Sequence, residues 1–420
     1  MKRPAPESPP AAPPIKRAKP LIRVRRDRIP PAWARRGRPP PIEEMRQAHQ
    51  AHQKPQAPRV PQEAPPPPAA APSAAAAAAA PPALEPSFVG VAPYDDMIRV
   101  VSEFIFDVVV NTQYGHLGEG SNVEIEAKLG IFINKDTNDR ILLPGVETES
   151  VVNISSTDHA IHSGWVQKMA ALGIPKREMF PTRFQGGVTP QQYGAITHWL
   201  NQQTAKSQNT PGRIPIQTST LASYDRAFEL SHPILGSLPK WIAGVAGQNF
   251  QKQNLRVRGS YTPDHKLTES IIKVRIADLD IHLPHSPFDV RLSINIEHMQ
   301  DITPDMREAT ERISGSSATM PVPARNKDRV SYTHQDVRVD LTKVHSKTQN
   351  DRYVPNVGWS LQDMTPLPPE DCQVELELNP HVVVSEGTKA QRGEPNTYEI
   401  VVGSFLNNIR WLARGQMPGV

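Results

Sequence analysis

One stretch constrains the fold more than any other: NVEIEAKLG, residues 122–130. Its polarity alternates with period two. Glu124, Glu126 and Lys128 fall on one face of a strand, and Val123, Ile125, Ala127 and Leu129 on the other. Near the far end of the chain QVELEL, residues 373–378, repeats the device. Glu375 and Glu377 share one face there, with Val374, Leu376 and Leu378 opposite. Carboxylates two residues apart on a strand point the same way and repel, which costs stability unless cations fill the space before them. The rest of the chain must supply those cations, as a metal ion and as Lys and Arg from other strands.

Several period-two stretches carry them. Arg256 and Arg258 share a face, as do Lys273 and Arg275. Arg291, Ser293, Asn295 and Glu297 alternate with Val290, Leu292, Ile294 and Ile296. Lys327 and Arg329 alternate with Asp328 and Val330, and Arg338, Asp340 and Thr342 with Val337, Val339 and Leu341. Helical spacing marks residues 93–111, capped by Asp95, a helix opened by Thr189 and Pro190, and a last helix over about 397–414. Residues 141–165 read as strand and loop. At least seven strands, helices mainly at the two ends and no βαβ rhythm imply antiparallel pairing and a β-dominated α+β fold, a barrel.

Taken one strand at a time, the apolar faces belong in the core and the charged faces in water. The sorting of sign argues otherwise. Two strands are acidic and at least three are basic, whereas solvated faces intersperse the signs. One arrangement satisfies all the strands together: a closed antiparallel barrel with a charged lumen, its apolar exterior covered by helices and loops. About eight strands leave room for a small ligand. A lumen lined with Arg and Lys holds a polyanion, and a glutamate cluster holds a hard divalent cation, Mg²⁺ or Mn²⁺. That combination suits phosphoryl transfer to water, with a further carboxylate orienting the nucleophile. No Walker A sequence occurs, and Cys372 lacks the Arg six residues on that a cysteine phosphatase needs, Leu378 standing there.

Composition divides the chain. Residues 1–88 hold 23 of the 45 prolines and an alanine run, too little apolar surface to offset the entropy of ordering. They read as a disordered tail, and residues 89–420 as the folded domain. Residues 1–41 carry twelve Lys/Arg and two acids; since the whole chain is +4, the remainder sums to about −6. Any cationic site in the folded part is therefore local. A lone cysteine excludes an internal disulfide framework and a Cys-rich zinc site and fits a reducing compartment. No apolar run reaches the length of a membrane span and no secretory signal stands at the N-terminus, so a soluble intracellular protein is expected. Lys2-Arg3 and Lys16-Arg17-Ala18-Lys19, twelve residues apart, match a bipartite nuclear-import pattern. Trp33, between prolines and arginines, could anchor the tail in a partner. His282, His285 and His298 lack metal-ligand spacing with a third partner and read as loop or surface residues.

VEIEAKLG, DVRLSINIE, RNKDRVSYTH, RVDLT and QVELEL, in that order, resemble the fungal mRNA-capping RNA 5′-triphosphatases. These are the β subunits of the capping enzyme, within the triphosphate tunnel metalloenzymes. The similarity runs from PYDDMIRVVSEFI at Pro93 to the last helix. It implies a closed eight-stranded antiparallel tunnel that removes the γ-phosphate from nascent pre-mRNA ends. It implies Glu124, Glu126 and Glu377 as metal ligands, with Glu375 beside them. Lys273, Lys327, Arg329 and one of Arg256 or Arg258 match phosphate-contacting residues, and Lys128 and Arg338 join that set. Glu297 matches the carboxylate that orients water. Arg338, Asp340 and Thr342 match a partly structural strand, and Asp225 a further tunnel residue. Two positions depart from the pattern: Gln373 stands where a third glutamate precedes the last pair, and Leu129 where phenylalanine is usual. The resemblance further implies a nuclear homodimer, bound through the Trp33 segment, residues 31–38, to an mRNA guanylyltransferase. Two other readings compete: a tunnel hydrolase of tripolyphosphate or free nucleoside triphosphates, and a non-catalytic β-scaffold.

Overall fold

The computed structural model describes residues 84–171, 181–230, 238–242, 255–264, 266–307, 324–346 and 370–415. The tail through residue 83, with Trp33 and the basic clusters, lies outside them. In chain order the strands are β1 (Ser121–Asn134), β2 (Ser150–Ser156), β3 (Thr182–Gly186), β4 (Gln217–Glu229), β5 (Arg256–Tyr261), β6 (Leu267–His282), β7 (Asp289–Met299), β8 (Ala324–His334), β9 (Val337–Ser346) and β10 (Glu370–Leu378). The helices are α1 (Asp96–Ile105), α2 (His159–Ala171), α3 (Pro190–Asn209), α4 (Pro380–Arg392) and α5 (Tyr398–Ala413).

Eight strands close on themselves in the order β1-β10-β9-β8-β4-β5-β6-β7, and β7 returns to β1. Every pairing is antiparallel. Two strands are too long for the ring. The 14-residue β1 pairs with β10 over 125–128 and then with β3 over 130–134. The 16-residue β6 likewise pairs first with β5 and then with β2. β2 and β3 thus extend one side of the barrel beyond its rim.

The polarity is reversed relative to a filled barrel. Val123, Ile125, Ala127 and Leu129 of β1 are buried, with Leu292, Ile294 and Ile296 of β7 and Val374 and Leu376 of β10. Helices cover this apolar exterior. α1 packs on α5, while α5 reaches β7 and α4 reaches β1. Asp95 caps α1 as the sequence predicts, accepting from the Met97 and Ile98 amides, and the helix runs on through a π-turn at Phe106–Val110. Gly387 lets α4 approach that turn, because a Cβ there would stand 2.5 Å from Val110 Cγ2. α3 opens with the Thr189–Gln192 capping box and Pro190. It covers another part of the exterior, where the Tyr193 hydroxyl donates to the Leu341 carbonyl and that of Tyr332 donates to Asn201.

Some expectations need correction. Residues 141–165 contain β2 and the start of α2, and Trp165 stacks on Phe104 at 5.7 Å from the helix. α4 is absent from the sequence reading, although Asn379, Pro380 and Gly393 carry the cap signals for it. His282 is buried, not a surface histidine. Its Nδ1 lies 2.8 Å from Asp289, a fully buried carboxylate that also binds Arg140 at 2.7 Å and accepts from the Phe132 and Leu283 amides. His298 bonds Ser121, and of these three histidines only His285 is exposed. Asp289 ties β1, β7 and the β6–β7 turn together beside the buried Phe132, Leu283 and Phe288. Asp289→Ala leaves Arg140 and His282 without their acceptor and should lower unfolding free energy by about 3 kcal/mol or more in urea melts.

Candidate active site

The lumenal face follows from cross-strand register, since partners directly opposite one another share a face. Glu124 faces Asn295, Glu126 lies between Ser293 and Glu377, and Lys128 between Arg291 and Glu375. Continuing round the ring, Glu375 faces Asp340 and Glu377 faces Arg338; Thr342 faces Arg329, and Lys273 faces Glu297. A bulge between Arg275 and Ala277 then shifts the alternation of β6 by one, so that Asp278 and Asp280 also turn inward. The inside-out polarity read from the sequence is the polarity of the folded chain.

Inside, the signs interlock. Lys273 Nζ lies 2.5 Å from Glu124 and 3.4 Å from buried Glu126. Lys128 Nζ lies 3.4 Å from Glu126 and 2.6 Å from Glu375. The Asn295 amide donates to both Glu124, at 2.9 Å, and Glu126, at 3.0 Å. Across the lumen Lys327 pairs with Asp225 at 2.5 Å, and Ser260 donates to the same carboxylate. Buried Asp340 takes Arg329 at 3.0 Å and Arg338 at 3.2 Å, and Arg329 also donates to Thr342. Arg338 reaches Glu377 at 2.5 Å. Arg258 lies 3.4 Å from Glu297. Asn295 was not singled out in the sequence; its place on one alternating face with Arg291 and Glu297 was the available signal, and the register sets it between Arg275 and Glu124.

Charge and burial set the protonation states. Burial tends to discharge Lys273, but Glu126, Glu124 and Glu297 outweigh it and hold the ammonium firmly protonated. The same contest, won by Glu375 and Glu126, keeps Lys128 charged. Burial opposes ionisation of Glu375, yet Lys128 and Lys273 pull it well below the usual carboxylate range. Lys327 is shifted down by burial, with Arg258 and Arg329 adding to the fall and Asp225 opposing it. Glu297 is shifted up by burial and by Glu124. Burial lifts Glu377 to about 7, with Glu124 and Asp340 adding to the rise and Arg338 opposing it.

Among the described residues no three His, Cys, Asp or Glu side chains are gathered closely enough to hold a metal ion. Lysine and arginine heads occupy the ground between the carboxylates. The donor chemistry nonetheless fits a hard cation: Glu124 and Glu126 lie on one strand, and Glu377 faces Glu126 on the next, so carboxylate oxygens from two strands meet on one face. The arrangement can grip a polyanion with several fixed cations and present carboxylates to the end of it.

The profile of the family described as "mRNA capping enzyme, beta chain" matches residues 91–417. The chain is 27% identical to the mRNA-capping enzyme subunit beta of Schizosaccharomyces pombe over 79% of its own length and 86% of the relative's. It is 28% identical to the subunit of that name from Candida albicans, over 78% of its own length and only 51% of the relative's. Among solved structures, the S. pombe Pct1 RNA triphosphatase superposes with a TM-score of 0.54 at 25% identity, over 80% of this chain and 99% of that one.

The raised carboxyl at Glu377 makes a stability prediction. Its ordinary value is 4.5, so the native state holds this proton more tightly than the unfolded chain does. The stability it contributes is complete below about 4.5 and is lost as pH rises toward about 7. In chelator-treated protein, Glu377→Gln should remove that loss. The difference between wild type and variant in urea-derived unfolding free energy should change by roughly 2 kcal/mol across this window.

Proposed function

The chain belongs to the mRNA capping enzyme beta-chain family, and on that premise we propose that it is an RNA 5′-triphosphatase, removing the γ-phosphate from the 5′-triphosphate end of nascent pre-mRNA in the first step of cap formation. The observation that carries this reading is the single lumen in which Glu124, Glu126 and Glu377 face Lys128, Lys273, Arg329 and Arg338. Surface charge pairs are not sorted this way.

The triphosphate takes the place of the carboxylates as partner to the basic residues. Lys273, Lys327, Arg329 and Arg258 line up on its non-bridging and leaving oxygens, where negative charge is spread in the transition state. Held by Glu124, Glu126 and Glu377, Mg²⁺ or Mn²⁺ would neutralise and orient the terminal phosphate. Glu297, whose proton affinity is raised, orients a water and accepts its proton as the water oxygen bonds to the γ-phosphorus. The bond from that phosphorus to the β-bridging oxygen breaks, and the diphosphate end departs with the electron pair. Asp340 and Thr342 hold Arg329 in place, Glu375 holds Lys128, and Asp225 holds Lys327.

The tail supplies the rest of the reading. Its basic clusters support nuclear import, and its Trp33 segment supports docking to an mRNA guanylyltransferase, with the enzyme acting as a homodimer. Pull-downs with the guanylyltransferase should lose the full-length chain on Trp33→Ala while phosphate release stays at wild-type level.

Purified full-length protein with Mn²⁺ or Mg²⁺ should release orthophosphate from triphosphate-ended RNA. Glu124→Ala, Glu126→Ala and Glu377→Ala should each cut turnover by about a hundredfold or more without loss of the folded circular-dichroism spectrum. Retained turnover in these variants sinks the assigned site. Cleavage of tripolyphosphate or free nucleoside triphosphates but not of RNA ends sinks the assigned substrate.

A further inference from the structure

The lumen differs sharply between its two ends. At the end where β1 begins, the lumenal register positions are open: Leu221 is 55% exposed and Met299 65%, and the Arg338 side chain is 42% exposed. At the end where β1 overshoots the ring, the same face is filled. Phe132, in line with Lys128 and Gly130, is fully buried and meets its β3 partner Phe184 at 5.2 Å between ring centroids. Phe184 folds back over Gly130, where a Cβ would come within 2.7 Å of its ring and 2.3 Å of the Gln185 carbonyl oxygen. The Arg291 guanidinium stacks on Phe184 at 4.9 Å and is held by Asp280 through two bonds of 2.7 and 2.9 Å. Behind it sits Asp289, locked by Arg140 and His282.

This cluster has no use for a phosphate. Two arginines, Arg291 and Arg140, stand among three buried carboxylates, Asp278, Asp280 and Asp289, and that surplus of carboxylate repels an anion. Lys128 is the last lumenal cation before it on β1. A polyanion entering from the open end stops there.

We propose that the lumen is blind, stoppered by Phe132, Phe184, Arg291, Asp280 and Asp289, and that orthophosphate therefore leaves last. This rests on the RNA triphosphatase reading. In that reading the RNA enters by its 5′-triphosphate end, so the γ-phosphate, its terminal group, leads. After cleavage, orthophosphate lies between the stopper and the RNA diphosphate. It escapes only once the RNA has withdrawn, and rebinding of diphosphate-ended RNA traps it.

Single-turnover kinetics on the full-length protein test this. Triphosphate-ended RNA is bound first, and Mn²⁺ then starts the reaction with or without excess diphosphate-ended RNA. Acid quench reports cleavage, and a fluorescent phosphate-binding protein reports release. Cleavage should be unchanged, while release slows about tenfold or more as diphosphate-ended RNA is raised. In steady state, orthophosphate should compete with the triphosphate substrate. Phe184→Ala, which opens the stopper, should weaken the trapping. Normal cleavage with phosphate release indifferent to diphosphate-ended RNA overturns the blind lumen and leaves the activity standing. Absence of cleavage overturns the activity itself, and the blind lumen with it as a release mechanism.

Discussion

The structure depends on buried charges that satisfy one another across strands. Glu124, Glu126 and Glu375 alternate with Lys273 and Lys128 around β1, β6 and β10, within 2.5 to 3.4 Å. Removing such groups from water costs several kcal/mol each, and only close pairing with good geometry offsets that. Here pairing is distributed: each lysine spans two carboxylates, and Asn295 fills an acceptor on both β1 glutamates. The same side chains that make a charged lumen tolerable are those that, in the proposed reaction, a triphosphate and a cation would engage. Ligand binding in this account is an exchange of partners, not the creation of charge contacts from nothing.

Turning the polar faces inward moves the stability problem outside. A barrel filled with charge has no interior core, so its apolar exterior must be covered. That is the task of α1, α4 and α5 on one side and α3 on another, from opposite ends of the sequence. Where β1 and β6 overshoot the ring, a knot of hydrogen bonds and ion pairs around Asp289 packs beside the buried Phe132, Leu283 and Phe288. Compensation is incomplete at Glu297, Lys327 and Glu377. Glu377 is held up near 7 with Arg338 as its close cation, a cost of the kind that functional carboxylates carry.

Much of this was legible from alternation. Glu124, Glu126 and Lys128, and Arg338, Asp340 and Thr342, share faces because nothing interrupts the pleat of β1 and β9. Closure was legible through sign sorting, which only a common lumen explains. The β6 bulge was not: Lys273 and Arg275 announce an odd-numbered face, and a single extra residue hands it to Asp278 and Asp280. His282 misled for a related reason, since its burial depends on Asp289 arriving from the neighbouring strand, a contact that local pattern does not encode. α4 could have been read from Asn379, Pro380 and Gly393 but lay hidden between stronger signals. The contact of Arg258 with Glu297 reaches across β6, which spacing along one strand cannot supply.

The central claim is that the lumenal glutamates gather around a cation once phosphate draws the lysines and arginines away. Anomalous diffraction from crystals of the protein with Mn²⁺ and a non-hydrolysable 5′-triphosphate tests it most directly. A manganese peak bonded to Glu124, Glu126 and Glu377, with the triphosphate on Lys273, Lys327 and Arg329, is the predicted result. Manganese and triphosphate bound outside the barrel, with the internal ion pairs intact, would contradict it.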